Sequence, residues 1–432
     1  MRTICRKQHR RWRCTWLRKD SLLGKIIFGA LVCLVVITPI PYGTVEPWWK
    51  ALFICAVFGI FILGIFETPN FLNVFFRLLP LVALTLFAFL QTQISTAPFQ
   101  TRFFALQLAA LTAFLALLCR YAATEHRVRV LVYVVIGVAI TSALFGILRQ
   151  TTQQQIGFVL PLLKPNQGFA QFINKNHFAY LMEMAFGLGI GLLVGERAKQ
   201  NRLLIHVAML LPIWVGLVLS NSRGGILAML TQVVIAALLL SFRSERLRAT
   251  RVVAVRAALV IVLVAGVLFG TLWIGGDRLV STIEAAGATT IDRDGASRKD
   301  IWRASAKLVS AHPVLGVGLG AYWPRISAHH DASGALVPQE AHNDYLELLA
   351  SGGVVGLLIG VWFAVIVIRQ ARQRLWSSTG FVRAARLGAI IGIAGVAVHS
   401  LFDFGLHLIG NAVVFMTLIM IATTQLDTEK TR

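Results

Sequence analysis

The chain has 432 residues, 57% of them hydrophobic and only 14% charged, with a mean hydropathy of +0.73. Soluble domains carry about 25% charged residues. This composition therefore excludes a disordered chain, a secreted disulfide scaffold and a conventional soluble enzyme, and it argues for an all-α polytopic membrane protein. The net charge of +22, from 41 Lys and Arg against 19 Asp and Glu, fits a cytoplasmic excess of basic residues before it fits a nucleic-acid partner.

In chain order, residues 1–23 read as a basic cytoplasmic tail containing Arg6, Lys7, Arg10, Arg11, Arg13, Arg18 and Lys19. No A-x-A-like cleavage site follows, so the next apolar stretch reads as a first span and not as a signal peptide. Twelve apolar segments approach the roughly 20 residues that a crossing helix needs. They cover 22–41, 48–66, 74–92, 103–119, 128–147, 177–195, 203–220, 224–241, 252–274, 345–368, 385–402 and 405–424. The first nine fill 24–274 and the last three 345–424, which leaves a large loop at 275–344 and a cytoplasmic tail at 425–432. The third segment contains Arg77, and the last two are split only at Asp403 and Phe404.

The connections support the count. Segments 120–129 (Arg120, Arg127, Arg129), 196–202 (Arg197, Lys199, Arg202), 242–251 (Arg243, Arg246, Arg248, Arg251) and 369–384 (Arg369, Arg372, Arg374, Arg383) are basic. The connections at 42–47, 93–102, 221–223 and 403–404 carry almost no cations. With both ends cytoplasmic and every segment crossing once, the basic connections all fall on the cytoplasmic side. The cysteines Cys5, Cys14, Cys33, Cys55 and Cys119 show no CxxC spacing, so neither a disulfide framework nor a zinc site is indicated.

The loop at 275–344 is the sizeable domain outside the membrane. Ser297 followed by Asp300 resembles a capping box. Ile301, Trp302, Leu308 and Val309 fall at helical spacing, and Pro313 with Gly316 ends the run. Gly316-Val317-Gly318-Leu319-Gly320 then turns tightly, but without a preceding strand or a following GK[ST] it is a poor nucleotide loop.

Polar residues gather at the outer ends of the spans and not across the membrane. Four clusters stand out: Asn174-Lys175-Asn176-His177; Asn221-Ser222-Arg223-Gly224-Gly225; the loop, with Arg298, Arg303, Arg325 and His342-Asn343-Asp344; and His399, Asp403, His407 and Asn411. Polar groups within spans are costly and mark function. Each cluster also has a plainer reading. Lys175 suits an interfacial snorkelling residue, Asn221–Gly225 a turn, His342 a surface histidine and Arg298 a solvated helix residue. His399 and Asp403, four apart, suit a structural hydrogen-bonded pair. His312 with His329-His330 matches no ordinary metal site. Glu183 is the main charge inside a span.

The sequence resembles the O-antigen ligase/polymerase superfamily of bacterial membrane glycosyltransferases. Ser222-Arg223-Gly224-Gly225 resembles its SRGG turn. His342-Asn343, nine residues, then Gly353-x-x-Gly356 resembles the H[NSQ]x9GxxG pattern associated with the ligases. Phe172–Ala179 and the stretch from Arg298 and Trp302 through His312-Pro313 to Gly318 resemble further segments of the superfamily, and 399–411 does so more weakly. The resemblance implies a GT-C-like fold of about twelve transmembrane helices in the bacterial inner membrane, with a site on the periplasmic face. It implies transfer of a glycan from undecaprenyl pyrophosphate to an acceptor hydroxyl, metal-independent, inverting and without a cofactor. In a ligase the acceptor is lipid A–core, as in lipopolysaccharide biosynthesis. In a polymerase of O-antigen or exopolysaccharide it is another lipid-linked repeat, and in other relatives a protein side chain.

The residue chemistry fits. Outside the inner membrane the donor must carry its own activation, and a lipid pyrophosphate does. Such a leaving group needs positive charge, which Arg supplies bidentately. Arg223, Arg298 and Lys175 are the candidates for holding it. The hydroxyl needs a general base, and His342 has a suitable side chain. Asn343, Asn176, His399 and Asp403 are read as supporting, with Asp403 or Asp344 orienting a histidine. A lipid-linked glycan transporter is the rival of a different class, although transporters place polar sites near the midplane in broken helices.

Overall fold

Apolar periodicity builds thirteen α-helices among the residues that the computed structural model describes: 3–8, 11–16, 21–67, 74–75, 78–152, 168–195, 200–242, 298–329 and 339–426. The helices are α1 Leu22–Ile37, α2 Pro47–Glu67, α3 Leu79–Gln91, α4 Pro98–Tyr121, α5 Glu125–Thr152, α6 Lys175–Gly195, α7 Gln200–Leu219, α8 Arg223–Phe242, α9 Arg298–Ala311, α10 Tyr322–Ile326, α11 Asp344–Ser377, α12 Gly380–His399 and α13 Ile409–Thr423. A 3-10 turn, Gly405–His407, precedes α13. In the N-terminal tail, β1 Thr3–Gln8 pairs antiparallel with β2 Arg11–Trp16, a small departure from the expected all-α chain.

The expectation of about twelve spans in a GT-C-like arrangement is not met. The protein is a multi-pass α-helical membrane protein, but among the described residues six helices are long and apolar enough to cross: α2, α4, α5, α6, α11 and α12. Five further apolar helices are shorter: α1, α3, α13, Leu204–Leu219 of α7 and Arg223–Leu239 of α8. At about 1.5 Å per residue the 13 residues of α3 rise only about 20 Å, against a hydrocarbon core of about 30 Å. A 20-residue hydropathy window overlooks what stops a helix. The window at 22–41 runs through Pro39 and Pro41 into a turn where Tyr42, Gly43 and Thr44 all have positive φ. The predicted two-residue connection at 403–404 is longer, because α12 ends at His399 and α13 starts at Ile409. The predicted ninth span at 252–274, Arg77, Ser297 and His330 lie outside the described residues.

The centre of the bundle is α6 against α12. Gly187, Gly191 and Gly195 of α6 meet Gly392, Gly388 and Ala384 of α12 in antiparallel register, backbone on backbone, so that a Cβ on any of the three would overlap the opposite chain. Lipid tails give apolar side chains no hydrophobic reason to pair, and close approach through small residues supplies the dispersion contacts instead. All residues from His177 to Leu192 are buried, so α6 runs through the interior. Helix α13 is similarly enclosed, with every residue except Phe415 buried. At the end of the bundle away from the polar clusters, Arg386 is 1% exposed. It donates to the Arg374 and Thr424 carbonyls at 2.8 Å each, where α11 and α13 end. A guanidinium there satisfies orphan carbonyls and complements two helix dipoles.

Gly191→Val should lower thermal stability by on the order of 1–3 kcal/mol, as overpacking does, and should reduce the yield of monodisperse protein in detergent. Gly59→Val, at a site where a Cβ meets nothing within 4 Å, is the matched control and should leave both unchanged.

Candidate functional site

The residues singled out in the sequence share one structural position. Lys175 opens α6, Arg223 opens α8, Arg298 opens α9, and His342 stands two residues before α11. A helix start leaves backbone N–H groups unsatisfied and presents the positive end of the dipole, which suits an anion. Two of these starts are approached through strained corners: Asn221 has φ 54° and His342 φ 49°, a region costly for side chains other than Gly.

Asp403, 1% exposed, draws several of these pieces together. Its Oδ1 lies 3.8 Å from His342 Nδ1 and 4.0 Å from His177 Nε2, and it accepts from the Phe404 N–H at 2.8 Å. Its Oδ2 accepts from Asn176 Nδ2 and lies 3.9 Å from Arg298 Nη2. Burial pushes its pKa up, but the His177, His342 and His399 imidazoles and the Phe404 N–H outweigh that and hold it below the ordinary carboxylate value. Asn176 in turn accepts from Ser222 Oγ at 2.8 Å, which links α6 to the turn before Arg223. The Phe404 ring stands edge-on between two imidazoles, 4.8 Å from His177 and 4.9 Å from His342. His342 is 17% exposed, so it faces outward from a carboxylate that does not.

The structure thus joins His342, Arg298, Asn176 and Asp403, with half-buried Lys175 next to Asn176 in the chain and exposed Arg223 next to Ser222, which bonds Asn176. Two of the residues read as supporting have partners of their own. Asn343 is the N-cap of α11: its Oδ1 accepts from the Tyr345 and Leu346 N–H groups at 3.1 and 3.0 Å. His399 does not form the expected pair with Asp403. Its Nδ1 lies 3.0 Å from Glu183 Oε2, because α12 has ended and the chain turns away before Asp403. Two further contributors are His177, to which the sequence assigns no role, and Phe404. His177 was visible within its polar cluster, whereas nothing in the sequence signals an aromatic wedge.

The H-N-x9-G-x-x-G stretch divides between this site and the loop. At Gly353, with φ 62° and ψ −166°, α11 breaks. The segment Pro313–Gly318 lies along the break: Val354 and Val355 N–H donate to the Pro313 and Val314 carbonyls, and Val317 and Gly318 N–H donate to those of Ala350 and Ser351. A Cβ on Gly316 or Gly353 would overlap the facing backbone. Gln91, at the end of α3, locks the seam by donating to the Leu315 and Ser351 carbonyls and accepting from the Leu319 N–H. Trp302 of α9 donates to the Ala341 carbonyl at 3.0 Å, which secures the residue before His342.

Beside the site, His407 is enclosed by Glu340 at 3.2 Å, Asp344 at 3.4 Å and Glu347 at 3.6 Å. Burial lowers its pKa, but the Glu347, Glu340 and Asp344 carboxylates outweigh this and raise it to about 10. The ligand atoms of Glu340, Glu347 and His407 lie within 4.8 Å of one another, a spacing that a cation would also fit. As it stands, the imidazolium is the counter-charge of the group.

Fold and site together define a multi-pass membrane protein with a cation-lined polar cluster at one end of its helices. Residues 207–361 match the family model Wzy_C, O-Antigen ligase. The matched stretch contains Arg223, Arg298 and His342, while Lys175, Asn176, His399 and Asp403 lie outside it. The match supports a general enzymatic role with glycans. No curated protein matches the chain.

A histidine whose pKa rises on folding adds stability that is complete below its unfolded value of 6.5 and is lost as the pH climbs through about 10. The melting temperature should therefore fall between pH 7 and pH 10.5. His407→Gln should lower it at pH 7 and flatten that fall; an unchanged slope in the variant would show that the cluster adds nothing.

Proposed function

We propose that the chain is a glycosyltransferase of the bacterial inner membrane, acting on the periplasmic face as an O-antigen ligase. It moves a glycan from undecaprenyl pyrophosphate to a hydroxyl of lipid A–core. The observation that supports this reading is the convergence on one carboxylate of Asn176 at the start of α6, Arg298 at the start of α9 and a partly exposed His342, with Ser222, the residue before Arg223, bonded to Asn176.

In this mechanism Arg223, Arg298 and Lys175, with the N–H groups of their helix starts, hold the donor pyrophosphate. They offset the negative charge that grows as the bond to the anomeric carbon breaks. His342 Nδ1 faces Asp403, and Nε2 is assigned to the acceptor hydroxyl. His342 takes the hydroxyl proton, the acceptor oxygen bonds to the anomeric carbon, and the bonding pair leaves with undecaprenyl pyrophosphate. Attack opposite the leaving group inverts the anomeric centre in one step. Asp403 fixes the ring and stabilises the imidazolium that forms. No step in this scheme needs a metal.

Transfer by the purified protein, given an undecaprenyl-pyrophosphate glycan and either lipid A–core or a second lipid-linked repeat, tests this in EDTA. Product should form on lipid A–core. His342→Ala should reduce it on the order of 10²–10⁴-fold, as for loss of a general base. Elongated lipid-linked chains would reassign the protein as a polymerase. Full activity in His342→Ala would remove the base and this mechanism.

A further inference from the structure

Glu183 is the sole acidic residue of α6 and is fully buried within it. An ionisable group inside a membrane helix is expensive to keep and marks a role. None of the steps above uses it. Its Oε2 lies 3.0 Å from Nδ1 of His399, the last residue of α12. Tyr180, about one turn earlier in α6, stacks on the imidazole with centroids 4.2 Å apart, and its hydroxyl lies 3.2 Å from Ser400 Oγ. The histidine ring is thus fixed at one edge by Glu183 and on one face by Tyr180. Glu183 Oε1 and His399 Nε2 have no hydrogen-bond partner among the described residues, so the pair does not continue into a wider polar chain.

The opposite edge of the ring, Cδ2 and Nε2, occupies the place where a Cβ on Gly224 would go. Gly224 is not among the residues with positive φ. Its missing side chain therefore serves this contact and not the turn. Gly224 directly follows Arg223, so the imidazole sets how closely the first turn of α8 approaches α12. Gly225 packs likewise, with a Cβ there falling 2.6 Å from Ala179 Cβ of α6. Deeper in the bundle, Gln232 of α8 donates to the Glu183 carbonyl at 2.8 Å, so α8 is tied to the same α6 residue at a second level. The end of α12 also carries the His342 junction: the Ser400 carbonyl accepts from the Asp344 N–H at 3.0 Å, and the Ala397 carbonyl from the Tyr345 hydroxyl at 2.8 Å.

We infer that the buried Glu183–His399 pair is a positioning element that aims Arg223 at the donor pyrophosphate. The inference rests on the reading of Arg223 given under the proposed function. Neither Glu183 nor His399 touches substrate; the ring acts as a stop against Gly224, and Glu183 holds the ring in place.

The test uses the full chain in lipid nanodiscs, with an undecaprenyl-pyrophosphate glycan as donor and lipid A–core as acceptor. Glu183→Leu and Gly224→Ala should each raise the donor KM about ten- to hundredfold, the cost of a displacement near 1 Å, and leave the acceptor KM unchanged. Glu183→Gln, whose amide can bond Nδ1 in either tautomer, should lose less than Glu183→Leu. The double variant Arg223→Ala/Glu183→Leu should be no worse than Arg223→Ala alone, because the residue being aimed is gone. Losses that multiply in the double variant would overturn the inference and leave the role of Arg223 standing. A wild-type donor KM in Arg223→Ala would remove that role and this inference with it. If Glu183→Leu does not fold, Arg223→Ala/Gly224→Ala makes the same comparison from the other side of the contact.

Discussion

A carboxylate taken out of water has to be surrounded by positive charge and hydrogen-bond donors, or it loses its charge. Asp403 meets that requirement with groups from α6, α9, the junction before α11 and its own turn. Distant stretches of chain are therefore obliged to meet at one end of the helices. The opposite end is organised by the complementary problem, a buried cation, and Arg386 meets it with the carbonyls at which two helices terminate. Between the two ends, α6 and α12 are joined almost without side chains. That rigid contact fixes the height at which His177 and His399 reach the polar end.

Much of the site was legible in the sequence, because charged residues at the ends of apolar segments stand out against a background that is 14% charged. Lys175, Arg223, Arg298 and His342 stand out this way, and each stands at or beside a helix start. Partners were less legible. Spacing within one segment suggests local pairs, and so His399 and Asp403, four apart, look like partners. Glu183, which bonds His399, is 216 residues away in sequence. Helix length was hidden for a related reason: hydropathy is nearly blind to the turn at Thr38–Thr44 that ends α1.

Glycine carried two different messages that sequence alone does not separate. Gly353 and Gly316 need the left-handed region, with φ 62° and 68°. Gly224 and Gly225 do not; they permit contact with His399 and Ala179. The two glycines of the turn after Arg223 therefore act through the helices packed against them, and the arginine is placed by its neighbours more than by its own loop.

The seam between Pro313–Gly318 and the break in α11 is made mostly from main-chain atoms, with the Gln91 side chain locking it from α3. Backbone hydrogen bonds do not read side-chain identity. Val314 and Leu315 project from that seam, 60% and 41% exposed, and the attachment uses their carbonyls and not their side chains. The loop segment is thus fastened to the helix by a joint that depends little on what the segment displays. The surface flanking the joint is free to diversify toward new encounters, while the two glycines inside it are not.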